Sequence, residues 1–260
     1  KLELSQLHIH VNANENPAQA HYDSVLNLDT LHLNSTETGV LDLKGLEAKA
    51  NYAMQGELMN VAAAYALQQI VVEGTDYGRL DFDVKAKNLH QDLLNQMALV
   101  AEPEQPEDEA KLRVLIGEFL GYEPELEHAK LTWTNQSGNS AIATRMKGAP
   151  ALVQHFKEGT ALQGELSQVY EIVTLDIALS RPMFQQVVAG NGLMASMFDM
   201  LFDSAVEAGQ EVGLVTYDGT EVRLQFAFDA KQDTLLLNNK PITEDELLQL
   251  FLALQMGGLL

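Results

Sequence analysis

The chain has no cysteine. This excludes disulfides, thiolate nucleophiles and cysteine-built metal sites. It does not fix the compartment, because a cysteine-free chain is tolerated in reducing and oxidising surroundings alike. Positive charge is also scarce. Sixteen Lys and Arg stand against 37 Asp and Glu, giving a formal net charge of −21. Nucleic acid and anionic lipid surfaces repel such a chain, and no Lys/Arg cluster offers a local exception. A nucleic-acid partner is therefore not expected, and solubility is the plain use of the charge. Long apolar runs are missing too. No stretch of about 18 apolar residues occurs, so no transmembrane helix is expected in this piece. The first residue is Lys1, not Met, and a strand pattern begins at once. The expectation is a piece of a longer protein, with a signal or anchor segment ahead of Lys1.

Catalytic signatures are missing as well. The sequence holds no Gly-x-Ser-x-Gly elbow, no His-Glu-x-x-His and no phosphate loop. Asp81 and Asp83 share a strand face, but alternation with apolar positions turns that face to water. A glycosidase needs carboxylates facing each other across a cleft. His8 and His10 share a strand face, yet a metal site needs further ligands that nothing positions. Gly190-x-Gly192-x-x-Ala195 imitates part of a dinucleotide fingerprint, but it falls between helical halves without a preceding strand, so it reads as a helix break. The acidic run from Glu102 to Glu109 lacks the ligand spacing of a calcium loop and reads as a solvated connector. Asn34-Ser-Thr36 and Asn135-Gln-Ser137 match the glycosylation sequon, a pattern that recurs by chance. These readings predict no enzyme, no cofactor and no metal.

What is present is alternation. Hydrophobic residues make up 46% of the chain, enough for a folded core. Leu2-x-Leu4 is followed one residue late by Leu7-x-Ile9-x-Val11. Leu26-x-Leu28 is followed late by Leu31-x-Leu33, and Leu41-x-Leu43 by Leu46-x-Ala48-x-Ala50-x-Tyr52. Period two marks strands with one buried face. An extra residue flips the phase, and a strand keeps its buried face across the slip only by a bulge or bend. Three slips at one place in the motif predict a curved sheet. The run from Glu57 to Glu73 has an Ala-rich start and an Ile70-Val71-Val72 end; its strand neighbours favour a strand.

Further strands are expected at Leu80–Ala86, Leu126–Trp133, Ala141–Met146, Val173–Leu179 and Val222–Phe228. Helices are expected at about Leu89–Val100, Glu109–Leu120, Pro150–Lys157 and Arg181–Ala208, the last broken at Gly190–Gly192. Asp218-Gly219 fits a two-residue hairpin turn. Thr243 and Glu246 form a capping box that opens a final helix, apolar nearly all round. The whole is read as an α+β fold, a curved, mostly antiparallel sheet with bulges and helices packed on its concave side. The acidic loop divides a β-rich part, 1–101, from an α+β part, 110–260, unless the two form one continuous domain.

The feature with most functional content is the Met/Phe stretch. Met194, Met197, Phe198, Leu201 and Phe202 are the candidate ligand-binding residues. Methionine adapts to irregular apolar shapes and recurs at promiscuous surfaces. Such a stripe serves either as core packing or as an apolar groove or self-association face.

Two regions carry a family likeness. One runs from Gly213-Leu-Val-Thr-Tyr-Asp-Gly219 to Leu235-Leu-Leu-Asn-Asn-Lys-Pro241. The other is Tyr77-Gly-Arg-Leu-Asp-Phe-Asp-Val-Lys-Ala-Lys-Asn-Leu89. Both resemble the YdgA-like family of Gram-negative proteins. The resemblance implies a single-pass inner-membrane anchor and a large periplasmic part, of which this chain is the C-terminal half. The motifs are structural turns, so no functional residue transfers. The strand-helix texture is also similar to AsmA-like envelope proteins, which are associated with lipid movement. The expected function is a non-enzymatic periplasmic envelope protein binding a hydrophobic ligand such as lipid. The alternative is a scaffold or dimerisation module.

Overall fold

The computed structural model describes residues 2–14, 20–35, 39–100, 106–159, 165–189 and 192–256. Its framework is one curved, open sheet of twelve strands. Five long strands come first, each paired with the next in antiparallel fashion: β1 (Leu2–Ala13), β2 (His21–Ser35), β3 (Gly39–Gln55), β4 (Leu58–Val72) and β5 (Thr75–His90). Helices α1 (Gln91–Leu99) and α2 (Pro106–Leu120) follow. The meander then resumes with β6 (Glu125–Asn135) against β5 and β7 (Gly138–Gly148) against β6. Helices α3 (Pro150–Glu158) and α4 (Leu166–Val169) lead to β8 (Tyr170–Ser180). Helices α5 (Arg181–Val188) and α6 (Gly192–Glu211) lead to β9 (Thr216–Tyr217) and β10 (Glu221–Asp229). Strand β10 pairs with β8, β9 and β11 (Thr234–Leu237); β12 (Lys240–Pro241) and α7 (Glu244–Met256) close the chain. The sheet runs unbroken from β5 into β6, with α1 and α2 lying between them in sequence. Residues 101–105 and 190–191 of the expected connector and helix break lie outside the described residues.

The phase slips fall on one line. Pairing passes from Ser5↔Thr30 to Leu7↔Leu28, leaving out Gln6 and Asp29. It passes from Thr30↔Lys44 to Leu28↔Leu46, leaving out Asp29 and Gly45, and from Lys44↔Gln69 to Leu46↔Leu67, leaving out Gly45 and Gln68. Every strand from β1 to β4 thus spends its extra residue at the same height. Register survives, and the leucines stay on one face. Gln6 and Gly45 take the left-handed conformation, at φ 49° and 62°. The fourth slip, at Gln68, was hidden in the Ala-rich run that the sequence leaves ambiguous.

Helix starts follow local chemistry. The Ser180 hydroxyl accepts from the Met183 N–H and opens α5 ahead of Pro182. Glu107, Asp108 and Glu109 fill the first turn of α2, where the helix dipole favours anions. Thr243 and Glu246 exchange hydrogen bonds as a capping box for α7. Two details differ from expectation. Helix α6 does not stop at Gly209 but runs through it to Glu211. A Cβ at Gly209 would stand 2.8 Å from the Val215 side chain, so this glycine serves close packing, not termination. The turn at Asp218-Gly219 is longer than two residues, since Tyr217 pairs with Val222. The Asp218 carboxylate organises it, accepting from the Thr220 N–H and hydroxyl and from the Glu221 N–H.

Candidate apolar binding face

Antiparallel partners directly opposite each other share a face. Register therefore assembles the alternating residues into apolar rows across the sheet. One row reads Leu7, Leu28, Leu46, Leu67, Leu80, Trp133. The next reads Ile9, Leu26, Ala48, Tyr65, Phe82, Leu131, Ile142, Ile177, Leu224. Tyr65 and Phe82 stack within it, with ring centroids 6.1 Å apart.

The helices gather at the two ends of the strands, against this face. At one end a Cβ on Gly148 would meet Leu152 of α3 and Leu120 of α2 at 3.6 and 3.8 Å. There Leu93, Val100 and Leu115 form a small helical core. A hollow of about 530 Å³ opens beside α1, lined by Ala20, Tyr22, Tyr52, Met54, Met59 and Leu94 among others. At the opposite end α5 docks through Met183, which is fully buried. From there an aromatic chain climbs from sheet to helices. Trp133 meets Phe184 edge-on at 5.7 Å, Phe184 stacks on Phe198 at 6.2 Å, Phe198 lies 5.4 Å from Phe202, and Phe202 lies 6.0 Å from Tyr217. Between the two clamps, Tyr65, Leu131, Ile142 and Met146 remain exposed.

The five sequence-predicted contact residues divide here. Phe198 and Phe202 are half-buried links of the aromatic chain. Met194, Met197 and Leu201 are exposed, together with Leu193 and Met200, on the adjoining face of α6. The stripe is thus partly core and partly open surface. The exposed sheet residues were legible one strand at a time. Their gathering into rows depends on cross-strand register, which alternation alone does not give.

Charge near the face serves structure. The Arg181 guanidinium donates to Asp199 and Asp203 of α6 and lies 5.3 Å from the centre of the Phe202 ring. Hydrogen bonds with Tyr217, Asp199 and Asp203 hold its pKa above the ordinary arginine value. Hydrogen bonds from Gln185 and Arg181 hold Asp199 below the usual carboxylate range. On the opposite, polar face, Glu125 is buried between Arg145 at 2.8 Å and Lys87 at 3.2 Å. Burial raises its pKa, but hydrogen bonds from Arg145 and Lys87 outweigh this and bring it below the ordinary value. Hydrogen bonds from Lys231 and Lys147 lower Glu171 in the same way. His8 and His10 sit exposed on the polar side of β1. Among the described residues, no three His, Asp or Glu side chains gather in a metal-holding arrangement, and no helix is long and apolar enough to cross a membrane.

The family model described as bacterial protein of unknown function, DUF945, matches residues 1–245. The chain belongs to the DUF945 family. No curated protein and no solved structure matches it. The DUF945 match spans all the strands and both helical clamps, so the apolar rows and the slip line lie within the family's own extent.

Proposed function

We propose that this DUF945 chain is a non-enzymatic periplasmic protein of the bacterial envelope. It holds a hydrophobic ligand, a lipid acyl chain, along its open apolar face. One observation carries the reading. A sheet that spends a slip in each of four strands to keep its leucines on one side still leaves the middle of that side exposed, with the helices of the described residues at its ends. Exposed apolar surface rimmed by polar residues marks ligand, membrane or partner sites. The compartment and the anchor rest on the YdgA-like resemblance of the two turn regions. Lys87, Glu125, Lys147, Glu171, Arg181 and Asp199 sit in ion pairs that stitch neighbouring elements, which supports binding over catalysis.

The second reading, a dimerisation module, is favoured by the outward stripe Leu193, Met197, Met200 on α6, which suits another copy. Native mass spectrometry of the full-length protein, purified mildly from membranes, separates the two. Lipid adducts are expected on a monomer and should fall several-fold in Ile142→Glu and Met197→Glu. A ligand-free dimer that dissociates in Met197→Glu contradicts lipid binding and supports the second reading.

A further inference from the structure

We infer, resting on the reading of the open face as an acyl-chain site, that the hollow beside α1 seats the head of the lipid. That head is uncharged and bears hydroxyl groups, as in a monoacylglycerol. The hollow and the open face belong to one surface. Tyr22 pairs with Tyr52, and Met54 with Met59, so all four stand on the side of the sheet that carries the leucines. Tyr52 ends the alternation Leu46-x-Ala48-x-Ala50-x-Tyr52, which places the small side chains of Ala50 and Ala48 between the hollow and the row of Leu46. That stretch of strand is about 20 Å long, the reach of a long acyl chain.

What sets this hollow apart is its lack of charge. It measures about 530 Å³, and among the described residues its lining contains no Asp, Glu, Lys, Arg or His. Four other hollows each hold both an acid and a Lys or Arg; Glu118 and Lys157 line one, Glu246 and Lys240 another. The uncharged lining is still polar. Tyr22 and Tyr52 bring hydroxyls from the sheet, and Gln91 and Asn95 bring amides from α1. Among the described residues none of these four side chains makes a hydrogen bond. Met54 and Met59 add apolar wall that adapts to the shape beside it.

This lining sorts head groups. A phosphate or carboxylate would leave water for a site without a cation, on a chain of net charge −21. An ammonium head would meet no carboxylate there. A bare hydrocarbon end would leave two hydroxyls and two amides without partners. A hydroxyl-bearing head exchanges its water for groups that donate and accept alike.

The test uses the intact chain and calorimetric titration with three amphiphiles of one chain length: monopalmitoylglycerol, palmitate and hexadecylamine, each delivered from cyclodextrin. Monopalmitoylglycerol should bind at least about tenfold more tightly than either ion. Tyr22→Phe and Tyr52→Phe together should weaken it about tenfold, the worth of two neutral hydrogen bonds, and leave palmitate within about twofold. Asn95→Lys puts a cation in the hollow and should raise palmitate affinity several-fold. Equal binding of the three, or tighter binding of palmitate to the unaltered chain, would overturn the inference while the acyl-chain reading stands. Palmitate affinity unchanged in Asn95→Lys would place the head elsewhere and overturn it as well. Binding of none of the three would overturn the acyl-chain reading and the head-group assignment with it.

Discussion

Gly45 shows how one residue fixes the geometry of four strands. Its φ of 62° suits glycine, and a Cβ there would stand 2.7 Å from Cγ of Gln68 on the neighbouring strand. Gly56, in the turn between β3 and β4, has φ 66° with nothing within 4 Å of the same position. The pair separates conformational strain from crowding. Gly56→Ala should cost about 1 kcal/mol, the penalty of a left-handed alanine. Gly45→Ala should cost about 2–3 kcal/mol, because the Gln68 stem must also shift. Urea unfolding with an unchanged slope checks both, and equal losses would show that the slip line tolerates a side chain.

At the scale of elements, the aromatic chain joins the sheet to α5 and α6. Phe184 touches Trp133 on one side and Phe198 on the other. Phe184→Ala should destabilise by about 2–3 kcal/mol, somewhat below the range for fully buried phenylalanine, because this ring is half-buried. Hydrogen exchange should rise across α6 before it rises in β3 or β4. Uniform acceleration through the molecule would mean that the helical clamp and the sheet form one cooperative unit. The elements were also where the sequence spoke most clearly. Alternation in Leu2–Val11, Leu26–Leu33 and Leu41–Tyr52 placed three slips correctly, since period two is a local property. The run from Glu57 to Glu73 hid the fourth because alanine suits helix and strand alike. The division of the Met/Phe stripe into Phe198 and Phe202 inward and Met194, Met197 and Leu201 outward was not legible. All five lie on adjoining faces of one helix, and only the place of Trp133 and Phe184 decides which face docks.

At the scale of the whole molecule, the distribution of helices matters more than any single site. Sequence order sends the chain out of the sheet between β5 and β6, between β7 and β8, and between β8 and β10. Antiparallel alternation puts the first two excursions at one end of the strands and the third at the other. Among the described residues no connection crosses the centre of the apolar face, where Tyr65, Leu131 and Ile142 stay exposed. The charge of −21 keeps such an open face from indiscriminate association with other acidic surfaces, and the ion pairs of Glu125 and Glu171 hold strands together on the reverse side. An oily strip on an acidic body suits capture of single acyl chains better than adhesion to an anionic bilayer.

The chain contains one tryptophan, Trp133, and it stands in an apolar row beside Leu131, two residues away on the same face. Titration with a brominated fatty acid, followed by Trp133 fluorescence, tests the central claim most directly. Saturable quenching is predicted, absent with the unbrominated acid and weakened in Ile142→Glu. An emission that stays unchanged through the titration, while the protein remains folded, would contradict lipid binding on this face.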